Sequence, residues 1–159
     1  MKHIMAMAIV LLANPVLSQE TEQGWGVSFS KTSFDGKIFP VGIMAEGGQA
    51  VGGISLVVSC AKDNSLVPIL NEPFSFGNEP KKISFRSNAE TIDVTFAVGP
   101  TAWLGRRYQL SKPDSDKFLQ LFRNATSDVS YRLADKQGKF SSIGAGSIFD
   151  FTKASCAAP

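Results

Sequence analysis

The stretch that decides the fold is Thr91-Ile92-Asp93-Val94-Thr95-Phe96-Ala97-Val98. Ile92, Val94, Phe96 and Val98 take every second position, and Thr91, Asp93 and Thr95 oppose them. Successive side chains of a strand point to opposite faces. This spacing therefore lays one face on a core and the other in water, the pattern of an antiparallel sheet. The same period recurs along the chain. Trp25, Val27 and Phe29 alternate with Ser28 and Ser30, and Ile54, Leu56, Val58 and Cys60 with Ser55 and Ser59. Ile83 and Phe85 alternate with Lys82, Ser84 and Arg86, and Val129, Tyr131 and Leu133 with Ser130 and Arg132. Phe39-Val41-Ile43 and Phe149-Phe151 are weaker strand candidates. Turn signals separate the runs at Asp35-Gly36, Gly47-Gly48, Gly52-Gly53, Asp63-Asn64, Gly77-Asn78-Glu79-Pro80, Gly99-Pro100 and Gln137-Gly138.

A single segment has another period. After Ser111-Lys112-Pro113-Asp114, the apolar residues Phe118, Leu119, Leu121 and Phe122 share one face, while Lys117, Gln120 and Arg123 are polar. This spacing predicts a helix of about ten residues, capped by Ser or Asp and packed on the sheet through Phe118 and Phe122. The expected fold is all-β, or β-rich α+β: an antiparallel β-sandwich or partly closed barrel of about seven to nine strands with one short helix.

The N-terminus speaks for export. Met1-Lys2-His3 is a short basic start, Ile4 to Leu12 is an unbroken apolar run, and Ala13-Asn14-Pro15 ends it. Val16 and Ser18 then stand at the −3 and −1 positions of a cleavage site, the layout of a signal peptide over residues 1–18. The run is far shorter than the roughly 20 residues that span a bilayer, so no membrane insertion is expected after processing. No cysteine sits near the cleavage point, so no lipid anchor is expected either. Residues 19–159 then form a single β-rich domain in the periplasm or outside the cell. The chain has 16 basic and 14 acidic residues, and the leader removes Lys2. A processed protein this near neutrality has no electrostatic footprint for nucleic acid.

Cys60 and Cys156 are the two cysteines of the chain. In an oxidising compartment they are expected to form a disulfide.

What is missing limits the chemistry. The lone histidine, His3, leaves with the leader. Ser-His-Asp and Cys-His catalysis both need an imidazole, and zinc sites need histidines or free thiolates. No metal, cofactor or catalytic residue is expected, and no segment has the spacing of a calcium-binding loop. Ser28-Phe29-Ser30-Lys31 fits the S-x-x-K pattern of serine acyl-enzymes, but on a strand Ser28 and Lys31 face opposite ways, and the S-D-N and K-T-G companions are lacking. Asp114 and Asp116 are the carboxylate pair to consider for glycoside hydrolysis; at a helix start they read as dipole partners. Asn124-Ala125-Thr126 is a glycosylation sequon only in a eukaryotic secretory pathway. The short leader and sparse cysteines point to a bacterial source, where it carries no meaning.

Trp103-Leu104-Gly105-Arg106-Arg107-Tyr108 is the surface candidate, because Trp, Tyr and Arg dominate protein interfaces. Trp103, Arg106, Arg107 and Tyr108 are the expected partner-binding residues.

From Trp25 onward the chain resembles small periplasmic accessory proteins associated with type VI secretion. The matching pieces are Trp25-Gly26-Val27-Ser28, Ile54 through Cys60, Ile83-Ser84-Phe85-Arg86, Pro113 through Phe122, and Cys156. The chain departs from that pattern at Phe96, where a Trp is usual. The resemblance implies an envelope accessory without catalytic residues. The function expected is therefore non-catalytic binding of a protein partner in the cell envelope. Two alternatives stand beside it: an inhibitor of a hydrolase such as a lysozyme or protease, and a small carboxylate-based hydrolase.

Overall fold

Nine runs of extended chain and two helices are present in a computed structural model, which describes residues 24–31, 38–45, 54–73, 77–88, 90–102 and 105–156. The strands are β1 (Gly26–Lys31), β2 (Ile38–Ala45), β3 (Ser55–Cys60), β4 (Leu66–Pro73), β5 (Lys81–Ser87), β6 (Glu90–Ala102), β7 (Gly105–Leu110), β8 (Val129–Leu133) and β9 (Lys136–Phe140). Helix α1 (Lys112–Asn124) lies between β7 and β8, and α2 (Ala145–Cys156) follows β9. The signal-peptide residues 1–18 and the expected turns at Asp35-Gly36, Gly47-Gly48 and Gly52-Gly53 lie outside the described residues.

All nine strands belong to one antiparallel sheet in the order β1-β2-β3-β4-β7-β6-β5-β8-β9. The β-rich antiparallel class read from the alternation holds. The second layer consists of helices rather than a second sheet: α1 packs on β4 and β6, and α2 on β2, β3 and β4. Leu56, Val58, Leu70, Ile83, Phe85, Phe96 and Tyr108 project from the inner face and are essentially fully buried with Phe118, Leu121, Phe122 and Phe149 of the helices. Phe85 stands at the centre of an aromatic cluster, its ring 5.3 Å from Phe118, 6.1 Å from Phe122 and 6.5 Å from Phe96, all edge-on. Edge-to-face pairs of this kind add about 0.5–1.5 kcal/mol each beyond area burial.

The sheet curls without closing. Trp25, just before edge strand β1, donates its backbone N–H to the Ile143 carbonyl (2.8 Å) and its indole N–H to the Ser141 carbonyl (3.0 Å), both just after the opposite edge strand β9. The Trp25 ring also meets Phe149 at 4.9 Å and Phe122 at 5.5 Å. One side chain thus joins both margins of the sheet to both helices.

Several expectations need correcting. Phe149-Phe151 is part of helix α2, not a strand. Ala145, Phe149 and Thr152 are buried at helical spacing, whereas Phe151 is 49% exposed. Gly99-Pro100 lies within β6, where the register with β7 shifts between Val98 and Thr101. A Cβ on Gly99 would stand 2.6 Å from the Arg107 carbonyl oxygen, so a side chain at this bulge would collide with backbone. Gln137-Gly138 lies inside β9, and the turn is Ala134-Asp135, bracketed by the pair Leu133↔Lys136. Ala134 has φ 52° there, a left-handed conformation that favours Gly or Asn. The turn at Asp63-Asn64 stands as expected, with Asn64 at φ 60°. Helix α1 also stands, although Ser111 at its cap makes no side-chain cap bond. Instead the Ser111 carbonyl accepts from both the backbone N–H and the hydroxyl of Ser115, each at 2.8 Å.

Cys60 at the end of β3 and Cys156 at the end of α2 form the expected disulfide, with their Cα atoms 5.5 Å apart. Close approach of α2 to the sheet also depends on Gly42 in β2, where a Cβ would come within 2.7 Å of Ile148 Cγ2.

Candidate functional site

Among the described residues most inner-face positions are buried under the two helices, which leaves the outer face of the sheet as a surface to consider. Register carries one row across five strands: Ile43, Val57, Ile69, Gln109 and Ala97. Ile43 is 38% exposed, Val57 and Ile69 are half-buried, and Gln109 and Ala97 are exposed. The neighbouring row is polar and runs Ser55, Asn71, Arg107. Asn71 donates from its amide to the Ser55 hydroxyl at 3.4 Å. The outer face thus offers an aliphatic strip bordered by hydrogen-bonding groups and the exposed Arg107, the mixture that protein contact surfaces use.

At the end of the sheet nearest α1 the strip runs into a groove of about 600 Å³. Val67 and Ile69 contribute its apolar lining, Ser59 and Gln109 its polar lining, and Lys62, Asp63 and Lys112 stand beside them. Asp63 shapes this rim. Its carboxylate accepts from the hydroxyl and the backbone N–H of Ser65, and Lys112 Nζ lies 3.2 Å away. These contacts, the Ser65 hydroxyl foremost, hold Asp63 well below the usual carboxylate range.

The expected partner-binding residues separate once β7 is seen as a strand. Arg107 is exposed on the outer face beside Gln109. Tyr108 is fully buried on the inner face, so it cannot touch a partner directly. Its ring packs in the core and its hydroxyl donates to the Gly77 carbonyl at 3.3 Å. Arg106 pairs in register with Glu72, and Trp103 lies outside the described residues.

Glu72 is a group that sequence reading missed. It sits on the inner face of β4, 8% exposed. Lys136 of β9 reaches its Oε1 at 2.9 Å and Lys81 of β5 reaches its Oε2 at 3.1 Å. Neither strand neighbours β4 in the sheet. The carboxylate therefore ties strands together across the inside of the curl, beside a cleft of about 500 Å³ lined by Pro80, Lys82 and Leu133. Burial pushes the Glu72 carboxyl up, but the hydrogen bonds from Lys136 and Lys81 outweigh it and leave the group below its ordinary 4.5. A carboxyl lowered in the folded state contributes its stability above the ordinary value and loses it as pH falls through the folded one. Glu72→Gln is expected to lose about 1–3 kcal/mol at neutral pH. The gap to the parent should narrow on acidification below pH 4.5. Urea titrations across that range check this, and a gap that stays constant down the acid limb would contradict it.

Of the other candidates, Asp116 is exposed and Asp114 has structural employment. Asp114 bonds Lys117 at 3.3 Å and accepts from the Thr95 N–H at 3.5 Å, in the first turn of α1. Ser28 and Lys31 occupy opposite-parity positions of strand β1. Among the described residues no group of three or more His, Cys, Asp or Glu is placed to hold a metal, and no helix is long and apolar enough to cross a membrane. Comparison with family models, with curated proteins and with solved structures finds no match for the chain.

Proposed function

We propose that this chain is a non-catalytic accessory protein of the bacterial periplasm that holds a protein partner of the cell envelope on the outer face of its sheet. The observation carrying the reading is the aliphatic strip Ile43–Val57–Ile69, left on the side away from both helices and bordered by exposed Arg107 and Gln109. A sheet whose second face had only to meet water would carry polar residues there. The disulfide fits a compartment that oxidises thiols. The leader over residues 1–18 and the resemblance to type VI secretion accessories support the periplasmic assignment. With its imidazole lost with the leader and both sulfurs bonded, the chain works by shape and contact.

Substitution on the strip tests this. Arg107→Glu and Ile69→Asp place charge on the outer face without touching the buried inner one. Each is expected to weaken capture of the envelope partner by about ten- to a hundred-fold, as loss of a central contact does. Arg107→Glu should leave the thermal midpoint nearly unchanged. Partner capture that survives both substitutions would remove the outer face as the working surface. A one-to-one complex with a lysozyme or protease would redirect the reading to inhibition.

A further inference from the structure

The ion pairs of this chain are unevenly placed. Lys81 and Lys136 meet Glu72 inside the curl, and Lys112, Lys117 and Arg123 of α1 meet Asp63, Asp114 and Asp150. The outward positions of β5, β8 and β9 are different. Strand parity puts Lys82 and Arg86 of β5, Arg132 of β8 and Lys139 of β9 on the face away from the buried Ile83, Phe85, Tyr131 and Phe140. All four cations are exposed, and among the described residues none of them makes an ion pair. Register sets them on adjoining rows: Arg86 pairs with Ser130, which pairs with Lys139, and Arg132 pairs with Ser84. Asp93 is the carboxylate on the outward side of the next strand, β6, and it accepts from the Ser84 hydroxyl. Asp135 stands at the strand ends, in the turn between β8 and β9. A chain of 16 basic and 14 acidic residues has thus gathered four unpaired cations on one sector of its sheet.

Two features say what kind of surface meets this sector. No apolar side chain stands at an outward position of β5, β8 or β9; serines and Gln137 fill the places between the cations. The buried centre of a protein interface needs an apolar or aromatic anchor and is poor in charge. Cations without such an anchor suit a layer of anionic headgroups, which holds each Lys or Arg by charge at its surface. The sector also looks away from the aliphatic strip. The bonds of Trp25 to Ser141 and Ile143 draw the sheet margins together, so the outer face is convex, and β7 and β6 separate its two parts.

We infer that the β5–β8–β9 sector rests on an anionic lipid surface, touching the headgroups by charge without inserting. The strip Ile43–Val57–Ile69 stays open beside it. This contact is separate from the surface assigned to the envelope partner, and it stands or falls without it.

Co-sedimentation of the exported, disulfide-bonded chain with vesicles tests the inference. Vesicles of equal parts phosphatidylglycerol and phosphatidylcholine are the anionic probe, and phosphatidylcholine alone is the neutral one. At low salt the chain is expected to pellet with the anionic vesicles and not with the neutral ones. Release is expected as salt rises to roughly 0.15 M, where charges are screened beyond about 8 Å. Each cation at such a surface strengthens adsorption about five-fold, so Arg86→Gln combined with Arg132→Gln is expected to weaken it about twenty-five-fold. Lys117→Gln combined with Lys153→Gln removes the same charge from the helices and should leave binding nearly unchanged. Melting curves establish that both double variants are folded. A parent indifferent to the anionic vesicles, or equal loss in the two double variants, would overturn the lipid contact. Binding of the parent to polyglutamate but not to the vesicles would also overturn it, and would assign the sector to an acidic protein segment. No envelope partner is present in these mixtures, so none of the results bears on capture through Ile69 and Arg107.

Discussion

Breaking the Cys60–Cys156 bridge is expected to lower stability by about 4 to 5 kcal/mol. The two cysteines are 96 residues apart in sequence, so the bridge closes most of the folded chain into one loop. In the chain-entropy view such a crosslink acts mainly on the unfolded state, by removing conformations that the reduced chain recovers. The native state adds a local reason. Cys156 is at the last turn of α2, and α2 has only a modest buried stripe of Ala145, Phe149 and Thr152 to hold it on the sheet. Denaturant titration of the oxidised chain against Cys60→Ala/Cys156→Ala checks the figure. A difference below about 1 kcal/mol would mean that α2 docks unaided, and that the reduced chain is already compact.

Trp25→Ala is expected to cost about 3–5 kcal/mol, the range for truncating a large buried aromatic. Trp25 is 6% exposed, and its ring makes edge-on contacts with both Phe122 of α1 and Phe149 of α2. Truncation also leaves the Ser141 carbonyl without the indole donor. Trp25→Phe keeps most of the ring contact and loses only that hydrogen bond, so it should recover more than half of the loss. Equal losses in the two variants would show that the hydrogen bond, not the packing, closes the curl. Because Trp25 touches α2, its effect should not simply add to that of the missing disulfide.

The strands whose inner positions are continuous aliphatic or aromatic residues were legible from the sequence, and so was α1. β5 and β8 declare themselves because each alternates without interruption against polar residues, and β3 and β6 because their buried positions keep a period of two despite Val57 in the one and Ala97 in the other. β4 hid behind Pro68, a residue that argues against an interior strand. It is tolerated because the described pairing of β4 with β7 begins only at Ile69, so at Pro68 the strand has β3 alone as a ladder neighbour. β7 reads as a surface cluster because Arg106, Arg107 and Tyr108 are, by residue type, interface formers. Their alternation, which sends Tyr108 inward and leaves Arg107 outside, was the signal that could have placed them. α2 was missed because Phe149 and Phe151 mimic a period of two, while its buried stripe includes Ala145 and Thr152, which carry little hydropathy. Glu72 could not be found in sequence. Its partners Lys81 and Lys136 come from strands that only the curl brings within reach.

The outer strip is legible only in retrospect, and for a physical reason. Val57 and Ile69 break the polar alternation of β3 and β4, and in isolation two aliphatic residues on the wet side of a strand are ordinary. Register turns them into a surface by setting them beside each other and beside Ile43.

Site-specific photocrosslinking in the cell envelope tests whether the outer face meets a partner as proposed. A photoreactive side chain in place of Gln109, and another in place of Lys139, compare the strip with edge strand β9. One discrete crosslinked protein is expected from position 109, lost when Arg107→Glu is added, and none from position 139. Equal labelling from both positions, or a product at 109 that Arg107→Glu leaves unchanged, would contradict the proposal.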